Sequence, residues 1–483
     1  MRIFSKLFFN GTLGNIDPGF FTLYKIFIID DDISYGLAIW ITLVCLLLFY
    51  NANPDSTMVL SREYLIKYRR KMLRTRNGYI LIIGIIKRGC GILKNSVKIC
   101  LLLLLLMLTL RVSVFSSPDI GENYWPKESW RTSTPEAQGM DSERIYAMLK
   151  SIKDNSLDIQ SVLIIRNGYL VTESYFAPRL KGRLNNIYSC TKSFTSALIG
   201  IAIREGYIKD IHQKVIDFFP GYTFKNLDSR KKVITIENLL SMTTGLDWVE
   251  PSPGDHRDPH YTRDLIPMTT SKDPIRYILD HSMADEPGSR FYYNTGVSHL
   301  LSAIIQKTSG TSTLNFAIQH LFQPLGITDF NWDTDSLGIP WGGMNLFLSP
   351  EEMARFGYLY LRHGVWEGKQ IVPAEWVETS TKEHSSFNPS PNEKVSYGYQ
   401  WWIDSYGYHA LGFGGQYIYV IPGLDMVVVF TNGNIHDSIS YMAPILVEKF
   451  ILPAVKSDKP LPPNTTVAKK MKKLLKVIEA PGK

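Results

Sequence analysis

A serine and a lysine three residues apart can share one face of a helix, close enough for the amine to take the hydroxyl proton. The chain holds such a pair at Ser189-Cys190-Thr191-Lys192. A lysine works as a base only when neutral, so this one needs burial or nearby positive charge. The residues that follow, SFTSALIGIAIREGYI, read as an apolar helix that carries the pair into a core. The N-terminus of that helix would also aim backbone N–H groups at the serine, where an oxyanion could develop. A second tetrad, Ser229-Arg230-Lys231-Lys232, sits in a charged run with no apolar helix behind it and reads as a solvated loop.

Two further stretches could complete a site. Tyr292-Tyr293-Asn294 follows Glu286-Pro287-Gly288 at the mouth of an apolar helix expected over 296–308. The Tyr292 phenol could relay a proton to a leaving group, and the Asn294 amide could hold substrate or the lysine; alone, the same residues could simply pack a helix start. The run Ala410-Leu411-Gly412-Phe413-Gly414-Gly415-Gln416 leads into a strand over 417–421. Glycines at the lip of a strand admit another group close to the backbone, here a substrate carbonyl beside the Gln416 N–H, although a plain bulge or turn would look similar. Other chemistries lack their motifs. There is no Gly-x-Ser-x-Gly elbow, His-Glu-x-x-His or P-loop. Tyr417 stands where a dinucleotide fingerprint needs its third glycine, and no helix follows. His256 and His260, beside Asp255 and Asp258, are separated by Pro259 and read as a surface loop rather than a ligand set.

The elements that must position these residues are mixed. Residues 141–153 open with Asp141 and show helical apolar spacing. Strands over 161–165 and 170–176 flank the Asn167-Gly168 turn, and strands over 416–421 and 426–431 flank Pro422-Gly423-Leu424-Asp425. Helices are expected over 192–205, 236–242, 296–308 and 350–363. Strands at both ends with helices between them imply a central antiparallel sheet built from distant segments.

The first third reads differently. Residues 33–50 carry no charge over eighteen residues, about the length of a bilayer-spanning helix, and 99–110 contains six consecutive leucines. Between these blocks, residues 51–98 hold eleven Lys/Arg against two acids, which places that loop in the cytoplasm and everything after residue 116 outside it. The expected organisation is a membrane-spanning or signal-anchor region over 1–116, a catalytic domain over 117–455 and a solvated basic tail over 456–483. The basic residues serve topology, so no nucleic-acid partner is expected from the net charge of +7. Four scattered cysteines give no disulfide framework. The 45% hydrophobic and 20% charged composition fits a globular chain rather than a disordered one.

Taken in order, Ser-x-x-Lys, Tyr-x-Asn and the glycine-rich strand resemble the serine β-lactamase and penicillin-binding protein superfamily. More narrowly, they are similar to the related serine hydrolases that include class C enzymes, carboxylesterases and 6-aminohexanoate-dimer hydrolases. The stretches ITIENLLSMTTGL over 234–246, LSPEEMARFG over 348–357 and GKQIVP over 368–373 match that family's wording as well. The resemblance covers roughly residues 125–452. It implies an α/β (α+β) fold: an antiparallel sheet flanked by helices, with an all-α subdomain. It further implies Ser189 as acyl-forming nucleophile, Lys192 as base, Tyr292 as proton relay and Asn294 as a substrate and network partner. The oxyanion hole would come from the N–H groups of Ser189 and Gln416, with Gly415 beside them. No cofactor or metal is implied.

One departure is plain. Phe413-Gly414-Gly415 stands where lactam-binding members have Lys-Thr-Gly or His-Thr-Gly. The expected activity is therefore hydrolysis of small esters or amides. A peptidoglycan D,D-peptidase or β-lactamase is the alternative within the enzymes, and a catalytically silent binding protein on the same fold is the alternative outside them.

Overall fold

In the computed structural model, the residues described are 124–126, 128–179, 181–250, 263–433 and 442–480. Asp141 begins the architecture: its side chain accepts from the Glu143 N–H and caps helix α1 (Ser142–Asp154), which buries Ile145, Met148, Leu149 and Ile152 at helical spacing. The chain then forms β1 (Ile159–Arg166) and β2 (Tyr169–Tyr175) around a tight turn, with Asn167 and Gly168 both at positive φ.

The other six strands of the sheet come more than 200 residues later, as β3 (Ser385–Ser390), β4 (Glu393–Tyr397), β5 (Trp402–Asp404), β6 (Gly407–Gly412), β7 (Gln416–Ile421) and β8 (Met426–Asn432). The sheet order is β2-β1-β8-β7-β6-β5-β4-β3, and neighbouring strands run antiparallel. Closure between the ends of the chain rests on β1 and β8, where Val162 faces Phe430 and Ile164 faces Val428. Strands β7 and β8 are buried along their whole length, as strands covered on both faces must be.

Helices fill the interval between β2 and β3. Helix α2 (Thr191–Arg204) is buried over Thr191–Ala202, so it has no solvent face. It packs beside α3 (Thr295–Ser309), around which the short helices Ile236–Leu240, Pro274–Leu279 and Thr313–Ala317 gather. Helix α4 (Pro350–Leu361), opened by a Ser349/Glu352 capping box, lies across β1, β7 and β8. A small antiparallel ladder pairs Asn185–Asn186 with Leu346–Leu348, and the latter with Asn331–Trp332.

The antiparallel sheet and its helices match the fold expected from the sequence. The basic tail does not remain an appendage. Thr465–Ile478 forms helix α5, capped by Asn464 and packed on α1 and β2, with Val467 and Ile478 buried. Its apolar residues recur at helical spacing between lysines, so a sequence that looks uniformly basic hides one face able to dock. Among the described residues no helix is long and apolar enough to cross a membrane. The apolar blocks 33–50 and 99–110, the basic loop between them, and His256 and His260 all lie outside the described residues.

Candidate active site

Ser189 lies in the middle of a single tight turn, Tyr188–Cys190, that runs directly into α2. The turn is built against preference: Tyr188 has φ +46°, a region bulky residues seldom occupy. Its neighbours hold it there. The Tyr188 N–H donates to Asn186 Oδ1 at 2.8 Å, and Thr191 Oγ1 donates to the Tyr188 carbonyl at 2.6 Å. Asn186 is itself tied to Asn345 through its side-chain amide. The result leaves Ser189 partly accessible while Lys192, one turn on, is only 1% exposed.

Lys192 Nζ lies 3.0 Å from Ser189 Oγ, 2.9 Å from Thr295 Oγ1 and 2.9 Å from the Gly343 carbonyl oxygen. Burial pulls its pKa down to about 8, against the opposing pull of Glu250. Gly343 can bring its carbonyl this close only because it lacks a side chain. A Cβ there would stand 2.8 Å from Thr295 Cγ2 and 3.0 Å from the Thr295 carbonyl oxygen.

The phenol at the pair is Tyr293, not Tyr292. The Tyr293 ring centroid is 4.8 Å from Lys192 Nζ, and its hydroxyl lies near enough to Ser189 to feel it electrostatically. Burial raises its pKa, with the Glu250 charge adding and the nearby Ser189 hydroxyl opposing. Tyr292 turns the other way, under the Arg290 guanidinium at 4.8 Å and within the field of Asp285. The cause is local. The segment is extended, so successive side chains point to opposite sides. Phe291 and Tyr293 accordingly both pack against Trp402, at 6.1 and 5.8 Å between ring centroids. That alternation was the available sequence signal, and the Tyr-x-Asn spacing pointed to the wrong neighbour.

Of the two contacts expected of Asn294, the one to the lysine is not made. Its Oδ1 caps α3 by accepting from the Val297 N–H at 3.1 Å, and the amine of Lys192 is held by Thr295 and Gly343 instead. The Asn294 amide nitrogen is buried without a hydrogen-bond partner.

The glycine-rich lip closes the other side. Gly412 touches the Ser189 turn so closely that a Cβ would stand 2.2 Å from the Ile187 carbonyl oxygen. Gly414 and Gly415 take φ +71° and +88°, which form the turn between β6 and β7. Gln416 fastens its side chain to Asn432, donating from Nε2 to the carbonyl at 3.0 Å, so its backbone rather than its amide group faces the neighbouring turn. Cys190 is fully buried and its thiol donates to the Gln416 carbonyl at 3.3 Å. Phe413 is 37% exposed and packs edge-on to Tyr188 at 5.6 Å.

Sequence reasoning gave no hint of Glu250, Thr295 or Gly343. Glu250 is 5% exposed and accepts three hydrogen bonds from two residues: Oε2 from Trp248 Nε1 at 2.6 Å and the Thr295 N–H at 2.8 Å, Oε1 from Thr295 Oγ1 at 2.6 Å. Burial raises its pKa, opposed by Lys192 and by these hydrogen bonds. No spacing rule links residues 192, 250, 295 and 343; only the fold does. The other tetrad is different in kind, with Ser229 and Lys232 both exposed.

Comparison with known proteins agrees with this architecture. The family model described as Beta-lactamase matches residues 154–439, more than half of the chain, and the chain belongs to that family. It is similar to the 6-aminohexanoate-dimer hydrolase of Paenarthrobacter ureafaciens, at 22% identity over 55% of this chain and 70% of that protein. Among solved structures, a candidate 6-aminohexanoate-dimer hydrolase from Bacillus anthracis superposes with a TM-score of 0.57 at 22% identity, covering 71% of this chain and 91% of that one. A family VIII carboxylesterase superposes with a TM-score of 0.52 at 15% identity, covering 66% and 98%.

Proposed function

We propose that the chain is a serine hydrolase that cleaves small esters or amides through an acyl-enzyme on Ser189. The observation that carries this reading is the buried Lys192 amine, 3.0 Å from Ser189 Oγ and brought by burial to a pKa of about 8. Neutral Lys192 takes the Ser189 proton as Oγ bonds to the substrate carbonyl carbon, and the carbonyl π electrons move to oxygen. The backbone N–H groups of Ser189 and Gln416 would receive that oxyanion. Collapse of the intermediate expels the alcohol or amine, which takes a proton relayed from Lys192 through the Tyr293 phenol. Water then enters by the same route in reverse, with Lys192 again receiving a proton, and the acid leaves.

The names of the similar proteins, a 6-aminohexanoate-dimer hydrolase and a carboxylesterase, support an ester or amide as substrate. Phe413 supports a neutral one, since it puts an aromatic ring where a cation would grip a carboxylate. The sign of the pH dependence follows from the base. Protonated Lys192 cannot accept a proton, so activity should rise as pH increases through about 8. The test is a fluorophosphonate probe with a panel of p-nitrophenyl esters. Labelling and turnover lost together in Ser189→Ala support the hydrolase; a wild type that neither labels nor turns over is the silent binding protein.

Export and membrane tethering by the first 116 residues belong to the same proposal, supported by the uncharged stretch 33–50, the leucine block and the basic loop. An alkaline-phosphatase fusion after Phe115 should be active. An inactive fusion, with a cytoplasmic reporter active at the same point, would overturn it.

A further inference from the structure

We infer that Glu250, acting through Thr295, is a positioning residue that turns the lone pair of Lys192 toward Ser189. The inference rests on the acyl-enzyme reading above. Its basis is a count of donors. A carboxylate can only accept, so across the 2.6 Å contact between Thr295 Oγ1 and Glu250 Oε1 the hydroxyl must donate. With its proton committed there, Thr295 Oγ1 can only accept from Lys192 at 2.9 Å. The Gly343 carbonyl, also 2.9 Å away, can only accept as well. A neutral amine has two N–H bonds and one lone pair. Both N–H bonds are thus claimed, and the lone pair is left for the third neighbour, Ser189 Oγ at 3.0 Å.

The same arrangement suits the next state. Once the Ser189 proton has moved to Nζ, the ammonium has three donors for three oxygens, and the Glu250 charge lies one hydroxyl away. Without Glu250, the Thr295 hydroxyl would be free to donate to Lys192, and its lone pair would face away from the nucleophile. Trp248 and the Thr295 N–H hold Glu250 Oε2 in place, so the carboxylate itself cannot swing. The titratable groups around the trio are Tyr293 and Tyr397, both of which feel the Glu250 charge, and Cys190 beside Lys192.

Glu250→Gln separates orientation from charge. Two N–H donors require the amide oxygen at the Oε2 position, which puts the amide NH2 against Thr295 Oγ1. That group donates where the carboxylate accepted, and the Thr295 proton is driven toward Lys192. The prediction is a kcat on the high-pH plateau lower by about 10- to 100-fold, the scale of one misdirected charge-assisted hydrogen bond, with KM little changed. Losing the negative charge should also move the acid limb to lower pH, because Glu250 raises the Lys192 pKa. Thr295→Val should match the plateau loss, and Thr295→Ser, which keeps the hydroxyl, should restore most of it. Rates are taken per site titrated by the fluorophosphonate, so partial unfolding does not enter. A plateau kcat at the wild-type level in either Glu250→Gln or Thr295→Val overturns the proposal. If instead the probe labels a residue other than Ser189 in the wild type, it is the acyl-enzyme reading that fails.

Discussion

The chain carries the same four-residue pattern twice, and the two copies have opposite surroundings. Ser229 and Lys232 are both exposed on a charged loop, whereas Ser189 is partly accessible and Lys192 is 1% exposed. Next to the exposed copy, it is Lys231 that is buried, with its ammonium satisfied by the carbonyls of Lys225, Leu279 and His281. That lysine ties a loop together. Lys192, by contrast, has the partly accessible Ser189 hydroxyl among its three partners and a carboxylate behind one of them. Identical spacing therefore sets a buried amine against a hydroxyl in one place and leaves two exposed side chains in the other. What decides is whether a buried helix follows the serine.

The largest expected effect breaks this comparison at its centre. Lys192→Ala should lower kcat/KM for p-nitrophenyl acetate by about 10²–10⁴-fold, the usual contribution of a general base, while Lys232→Ala leaves it within about twofold. Equal losses in steady-state assays of the two variants would mean the wrong tetrad has been chosen.

A second contrast concerns adjacent tyrosines. Tyr293→Phe removes the hydroxyl beside Ser189 and should lower kcat by about 10²-fold, within the range for a proton-transfer group. Tyr292→Phe removes a hydroxyl that faces Asp285 rather than Ser189 and should change kcat by less than about threefold. Measured side by side, the reverse ranking would restore Tyr292 as the relay.

The smallest effect lies at the rim. Phe413→Lys supplies a cation at the lip, worth about 1.5–3 kcal/mol to a bound carboxylate when well placed. The preference for p-nitrophenyl acetate over nitrocefin should narrow by about tenfold. Efficient nitrocefin hydrolysis by the wild type would remove the basis for a neutral substrate. Arg263 is poorly placed to supply such a grip, since Asp247 and Asp264 already hold it.

How much of this was legible depended on the range of the interaction. The strand pair around Asn167-Gly168, the capped helix after Asp141 and the buried helix after Ser189 follow from patterns within a dozen residues. Strands β3 to β5 were not legible. Ser385–Ser390 is an edge strand of alternating exposure containing Pro389, and Trp402–Asp404 is three residues long, so neither presents an apolar run. The choice between Tyr292 and Tyr293 turned on which side of an extended segment faced Trp402, a residue more than a hundred positions away. Glu250 reaches Lys192 only through Thr295, and Gly343 only by approaching α3 without a side chain. Those contacts belong to the tertiary structure, and no local pattern encodes them.

The central claim is that a buried, neutral Lys192 activates Ser189, and the rate of fluorophosphonate acylation as a function of pH tests it most directly. Wild-type protein should be labelled at Ser189, at a rate that rises with pH through an apparent pKa near 8 and levels off above it, and Lys192→Ala should lose both the rate and the limb. A labelling rate that is flat between about pH 6 and 10, or a Lys192→Ala variant acylated at the wild-type rate, would contradict the account.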